Sequence, residues 1–222
     1  MLLHVLRARH LQRHEPDRSE VLRRVVRRLA SGRAPSVYST LWTDAVYGWG
    51  NEKWSADEIY LAEVIRSAET TDGSILECGS GLTTLLMSAV AGRRGLQVHA
   101  LEHDATWHAR VQGAILDMGG TTTTVHLASL RNFGDYDWYD APLEQIPNDI
   151  SLVVCDGPPG STHGGRSGML PRMRNKLAPH CTILLDDVCR PEERELALGW
   201  SRDFGTVPQM KESKHDFARV TL

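Results

Sequence analysis

No stretch of this sequence approaches the ~18–20 consecutive apolar residues that span a bilayer, so no membrane-spanning helix and no membrane partner are expected. The apolar start, MLLHVLRARHLQRHEP, is interrupted at once by arginine and histidine and has no small-residue cleavage site, so no secretory leader is expected. Cysteine is scarce, with four in the chain, and no CxxC pair exists to hold a structural zinc. Cys78, Cys155 and Cys181 sit in or at the ends of apolar, strand-like runs and Cys189 follows another. Buried free thiols suit those places better than the disulfide framework of a small secreted chain, and a reducing cytoplasm is the expected home. Internal repeats and low-complexity segments are lacking as well.

What is there is an ordinary globular balance, 41% hydrophobic and 24% charged, which excludes wholesale disorder. The 222 residues fit one α/β domain with a short appendage. The net charge of −3 is unevenly spread: residues 1–33 hold nine arginines against Glu15, Asp17 and Glu20, a balance of +6 that leaves −9 for the rest. Such asymmetry is one mark of a nucleic-acid arm. Yet Val21, Leu22, Val25, Val26 and Leu29 recur at helical spacing with arginines opposite, the pattern of a solvated helix packed by its apolar side. The acidic remainder also argues against a broad phosphate-binding face, so a nucleic-acid partner is not expected. Self-association is left open.

From residue 55 onward strands and helices alternate. Ser55 reads as an N-cap with Glu58 as its capping-box partner, opening a helix to about Glu69. SILEC is a first strand, followed by LTTLLMSAVAG, a helix ended by Gly92. LQVHALE, TTVHL, ISLVVC and CTILLDD are further strands, and GTVPQM and HDFARVTL close the chain as two more. DATWHARVQGAILDM, GMLPRMRNKLA and PEERELALGWSRDF are helices between them. This alternation predicts a doubly wound, mostly parallel sheet, whose ligands bind beyond the carboxyl ends of the strands.

Chemistry-bearing residues gather at those ends. Glu77-Cys78-Gly79-Ser80-Gly81 opens straight into a helix, where glycines let a ligand approach the backbone. A dinucleotide fingerprint would place a third glycine at position 84, which is Thr84, and Glu77 disfavours a pyrophosphate; a carboxylate there suits a cationic amino group. Glu102, about twenty residues on and followed by His103, is placed to accept ribose hydroxyls. Trp107 covers a nucleoside or fills a helix–sheet gap, and Ser129 lies where a polar group meets an adenine edge. Asp156 ends the fourth strand and Asp186-Asp187 the fifth. Three clustered carboxylates repel unless a cation or protons intervene, and an all-oxygen set suits Mg²⁺.

The ordered set ILECGSGLTT, ALEHD, LVVCDGPPG and ILLDDV resembles the class I S-adenosylmethionine-dependent methyltransferases over residues 55–222. The resemblance implies a Rossmann-like, seven-stranded sheet with its last strand antiparallel, behind an N-terminal helical or lid extension, residues 1–54. It implies that Glu77, Gly79 and Gly81 face the methionine part of S-adenosylmethionine and Glu102 the ribose; Ser80, Thr84, His103, Trp107, Ser129 and Asp156 are the further expected cofactor contacts. Asp156, Asp186 and Asp187 are similar to the Mg²⁺ site of cation-dependent O-methyltransferases, with Asp-Asp after strand five as in macrolide-sugar enzymes. The catechol-type lysine after the first aspartate is replaced by Pro159, Gly160 and Ser161. His163, in the loop GSTHGGRSG, is then the nearest candidate base beside Asp156. The implied reaction is methyl transfer to a small-molecule hydroxyl bound to the metal; the alternatives are a metal-independent O- or N-methyltransferase and an RNA enzyme using the basic N-terminus. YGWGNEKW, with Tyr47, Trp49 and Trp54, is read as a lid or as an aromatic plug.

Overall fold

A computed structural model describes residues 17–53 and 55–222; residues 1–16 of the basic arm and Trp54 of the expected lid lie outside the described residues. Two helices come first. In α1 (Arg18–Ser31) the predicted stripe Val21, Leu22, Val25, Val26 and Leu29 is buried, and the N-cap carboxylate of Asp17 accepts from the Ser19 N–H. The opposite face is solvated, with Arg24 paired to Asp44 and Arg27 to Glu20. The segment from Leu41 to Trp49, taken from composition as loop and lid, is a second helix, α2, which ends on left-handed Gly50. Apolar Leu41, Trp42, Ala45, Val46 and Trp49 fall on one side of it, a period too short to stand out among glycine and serine.

The helix α3 (Glu58–Thr70) is capped by Asp57, not Ser55: the Asp57 carboxylate accepts from the N–H groups of Ile59 and Tyr60, whereas Ser55 bonds back to the Asn51 carbonyl. Its remaining oxygen accepts from the Lys214 N–H, which ties α3 to the far end of the chain. Five parallel strands follow in the expected places: β1 (Ser74–Cys78), β2 (Val98–Glu102), β3 (Thr123–Leu127), then, after a short antiparallel hairpin of β4 (Leu130–Asn132) and β5 (Asp137–Tyr139), β6 (Ile150–Cys155) and β7 (Leu177–Asp186). The hairpin was not foreseen in the sequence, because three-residue strands are too short for alternation to register. Helix α4 (Leu82–Arg94) runs past Gly92 to a left-handed Gly95, held by Arg94 on the carbonyls of Ala68 and Thr71. Helices α5 (Ala105–Asp117), α6 (Met169–Met173) and α7 (Pro191–Asp203) complete the layers; α6 is a single turn prolonged by a 3₁₀ turn, shorter than predicted. The last strands, β8 (Gln209–Lys211) and β9 (Phe217–Thr221), are antiparallel, β9 lying between β7 and β8.

The sheet order is β3-β2-β1-β6-β7-β9-β8. Side chains alternate across it. Ile75, Leu152, Val154 and Leu184 join one buried cluster with α1, α2, α3 and α4, while Leu76, Val153, Cys155 and Ile183 join another with the hairpin, α6 and α7. The order reverses between β1 and β6, the switch point where doubly wound sheets open a crevice. Among the described residues no helix is long and apolar enough to cross a membrane.

Candidate functional site

A cavity of about 710 Å³ opens at that switch point. The turn after β1 forms its floor. Gly79 has φ of +84°, and a Cβ there would come within 3.1 Å of Gly157 backbone atoms, so glycine is required for β1 and β6 to end side by side. Gly81 differs: a Cβ would meet nothing within 4 Å, because its open side is the cavity. Thr84, at the place of a third glycine, is functional in its own way. Its Oγ1 accepts the Gly81 N–H at 2.7 Å and donates to Glu77. Thr83 donates to the other Glu77 oxygen.

Glu77 is therefore not at the cavity wall. Strand alternation puts it on the same face as Ile75, beneath α4, where it is fully buried. Burial pushes its carboxyl up to about 8, against the pull of the two threonine hydroxyls. From there it braces the glycine turn through Thr83 and Thr84 and does not itself line the cavity.

Glu102 lines the cavity at the end of β2. One oxygen accepts from Ser80 N–H (3.1 Å) and Oγ (2.9 Å), the other from the N–H groups of His103 (2.8 Å) and Asp104 (2.9 Å). The carboxylate is thus pinned in one orientation, with the rotatable Ser80 hydroxyl its most exchangeable partner. His103, Ser80 and Trp107 line the same wall. The Trp107 indole N–H donates to the Ser80 carbonyl at 2.7 Å, so the ring is locked to the glycine turn. Trp49 of α2 meets it edge-on at 5.9 Å, and the Arg110 guanidinium lies over both rings, 4.6 and 4.8 Å from their centres, and donates to the Trp49 carbonyl. Ser129 is exposed, and the His163 ring stands 3.9 Å from an Asp137 carboxylate oxygen; neither lines the cavity.

At the opposite end stand Tyr139, Asp156, Gly157, Pro159, Gly160, Arg166, Asp187 and Arg190, of which sequence reasoning named only Asp156 and Asp187 as site residues. Tyr139 Oη is buried without a hydrogen-bond partner, a polar atom that a ligand can satisfy. The three aspartates do come together, one oxygen of each within 4.8 Å of the others, as adjacent parallel strands require. Asp156 and Asp187 line the cavity; Asp186 does not, and its carboxylate accepts the Asp187 N–H. Burial raises the Asp156 carboxyl to about 6, offset by Arg166 and raised again by Asp187, and burial holds Asp186 well above the carboxylate range.

All-carboxylate oxygen suits Mg²⁺, but such an ion needs ligands at about 2.0–2.1 Å and keeps open positions for water. Here Arg166 Nη2 lies 2.6 Å from Asp187 Oδ2 and 3.1 Å from Asp156 Oδ1, and Arg190 Nη1 lies 3.0 Å from the same Asp187 oxygen. Guanidinium groups already fill the space between these acids, so the residues present do not fit a metal. The missed signal was a lone arginine in a glycine-rich loop after the acid-terminated strand: a charge delivered there must find acids.

With this geometry in place, comparison with known proteins decides the family. Residues 76–188, from within β1 to just past β7, match the family described as Methyltransferase domain. The chain belongs to this class I methyltransferase family. Solved structures agree on the fold of the methyltransferase. The S-adenosylhomocysteine-bound methyltransferase PaMTH1 of Podospora anserina aligns with a TM-score of 0.61 at 14% identity, covering 92% of this chain and 96% of that one. A Geobacter sulfurreducens methyltransferase aligns at 0.59 and 14% identity, covering 88% and 95%. The precorrin-6Y C5,15-methyltransferase of Geobacter metallireducens aligns at 0.58 and 14% identity, covering 77% and 90%. No curated protein sequence matches the chain.

Proposed function

We propose that this methyltransferase moves the sulfonium methyl of S-adenosylmethionine to a hydroxyl of a small-molecule acceptor, with Glu102 holding the cofactor and Asp156 receiving the acceptor proton. The observation that carries this is one cavity holding both a pinned carboxylate at the end of β2 and a second, half-buried carboxylate at the end of β6. Its volume lies within the range of small-molecule sites.

The cofactor supplies an electrophilic methyl group. The chain supplies binding and proton management. Glu102 accepts the ribose hydroxyls, exchanging the Ser80 hydroxyl for one of them. The open backbone at Gly81 admits the methionine portion beside the N-terminal turn of α4. Trp49 and Trp107 wall the nucleoside side, and Tyr139 offers its unpartnered hydroxyl. The acceptor lies on the side of Asp156, Pro159, Gly160 and Arg190. Asp156, raised by burial to about 6, is ionised at neutral pH and still basic enough to take a proton as the methyl transfers. Because Arg166 and Arg190 stand where the resemblance to cation-dependent enzymes implies Mg²⁺, no metal enters the mechanism.

Calorimetric titration with S-adenosylhomocysteine tests the cofactor assignment. Glu102→Gln keeps the side chain's size but removes its charge and two of its acceptor sites. Affinity should fall about tenfold or more, since a charge-assisted hydrogen bond contributes ~1.5–3 kcal/mol. Equal affinity in wild type and variant removes Glu102 from the site, and absence of binding by the wild type removes the cofactor.

A further inference from the structure

We propose that the guanidinium of Arg166 is the resident cation of the Asp156–Asp186–Asp187 cluster, a positioning residue for Asp156, and that methyl transfer by this chain proceeds without a divalent metal. The proposal rests on the methyltransferase reading above.

Arg166 is only 2% exposed, and an unpaired charge at such depth is strongly destabilising. Both of its terminal nitrogens are paired, while Nε is buried without a hydrogen-bond partner. Nη1 donates to the Asp186 carbonyl at 2.5 Å; Nη2 donates to the Asp156 carbonyl at 2.6 Å, to Asp156 Oδ1 at 3.1 Å and to Asp187 Oδ2 at 2.6 Å. Two of these acceptors are main-chain carbonyls at the ends of β6 and β7. An ion attracting the carboxylates would have to turn the arginine out and strip both carbonyls of their donor in a buried place, so the arginine is not a loose counter-ion that a metal can displace.

The loop is shaped to deliver it. Between β6 and α6 the chain makes consecutive tight turns, Gly165 N–H to Thr162 carbonyl, Ser167 N–H to Gly164 carbonyl and Met169 N–H to Arg166 carbonyl. Gly164 and Gly165 both have positive φ, and a Cβ on Gly164 would come 2.6 Å from Tyr136 Cβ. These turns aim residue 166 back under the strand ends. A planar fork with donors in fixed directions can reach carbonyls and carboxylates together, which a lysine ammonium cannot do in the same geometry. Held on one oxygen by Nη2, Asp156 is fixed in rotation with its side chain still 38% exposed, so a carboxylate oxygen remains for the acceptor.

The experiment is titration of Mn²⁺ into the purified full chain with S-adenosylhomocysteine present, followed by electron paramagnetic resonance of the free ion, with calorimetry of S-adenosylhomocysteine on the same sample. Wild type should leave the free-Mn²⁺ signal undiminished and bind S-adenosylhomocysteine equally before and after chelator treatment. Arg166→Lys should also take up no Mn²⁺, because the charge remains, and should shift the acidic limb of the pH–rate profile as Asp156 loses its fixed donor. Arg166→Gln empties the cluster of one cation and should gain Mn²⁺ affinity at least about tenfold. Stoichiometric uptake by wild type that Asp187→Asn abolishes overturns the proposal, as does a folded Arg166→Gln chain that gains no affinity. Uptake that survives Asp187→Asn lies elsewhere on the acidic surface and agrees with it. Should Arg166→Gln fail to fold, wild type and Arg166→Lys decide. Failure of the methyltransferase reading shows separately, as loss of S-adenosylhomocysteine binding by wild type.

Discussion

Asp156 stands where two demands meet. Its main-chain carbonyl and one carboxylate oxygen belong to Arg166, while the rest of the carboxylate faces the cavity. If it takes the acceptor proton, Asp156→Asn should lower kcat about 10²–10⁴-fold, the usual contribution of a positioned base, and leave S-adenosylhomocysteine affinity within a few-fold. Steady-state rates beside calorimetry check this, and an unchanged kcat sends the proton elsewhere. Other residues teach what a sequence discloses at this scale. Glu102 was readable because its spacing from a glycine turn is a chain-length relation. The burial of Glu77 beneath α4 follows from alternation along the five-residue strand, since Ile75 inward under α4 requires Glu77 there too. Arg166 and Tyr139 were unreadable because each reaches the site from a loop or hairpin whose path is set by tertiary turns.

Among the elements, α2 changes most between sequence and structure. The sequence put a boundary at residue 54, yet Trp42 and Ala45 of α2 share a buried cluster with α3 and α4, and Trp49 closes the cavity wall. Arg110 clamps that wall from α5 by its bond to the Trp49 carbonyl. A chain beginning at residue 55 should therefore expose the apolar faces of α3 and α4 and lose its cofactor together with its solubility. The single substitution Trp49→Ala separates the two effects: S-adenosylhomocysteine affinity should drop several-fold while the circular dichroism of the helices is retained. Unaltered affinity would make the extension packing alone. Long elements were legible, since β2, β6 and α7 carry periodic or unbroken apolar runs. Their ends were not, because the tertiary partners there come from distant elements: Lys214 on the Asp57 cap, and the Ala68 and Thr71 carbonyls for Arg94 beside Gly95.

The molecule as a whole carries opposed proton linkages. Glu77, at about 8 when folded and near 4.5 when unfolded, keeps a proton that the unfolded chain has lost between those values. There the native state binds more protons, so stability falls as pH rises, by at most about 1.4 kcal/mol per pH unit. Buried His99 and His126, whose rings stack with Nδ1 and Nε2 3.0 Å apart, act the other way. Burial lowers His126 to about 4, so between there and 6.5 the unfolded chain takes a proton the fold refuses, and stability falls as pH drops. The raised carboxyls of Asp156 and Asp186 act in the same sense as Glu77, so denaturant unfolding across pH should show stability declining from about 6.5 to 8 and Glu77→Gln should lessen that decline; a decline unchanged in the variant assigns it to the other groups. At this scale the doubly wound, mostly parallel sheet followed from strand–helix alternation, whereas the tie from Asp57 to Lys214 joins residues too distant for any sequence period. The edge-to-face pair of Trp49 and Trp107 has an optical consequence. Two indoles on the cavity wall make the protein its own fluorometer. An adenine ring entering beside them should quench and shift their emission, and the saturation of that change, read without label or acceptor, should trace the same isotherm as heat; a spectrum indifferent to S-adenosylhomocysteine would put the purine elsewhere.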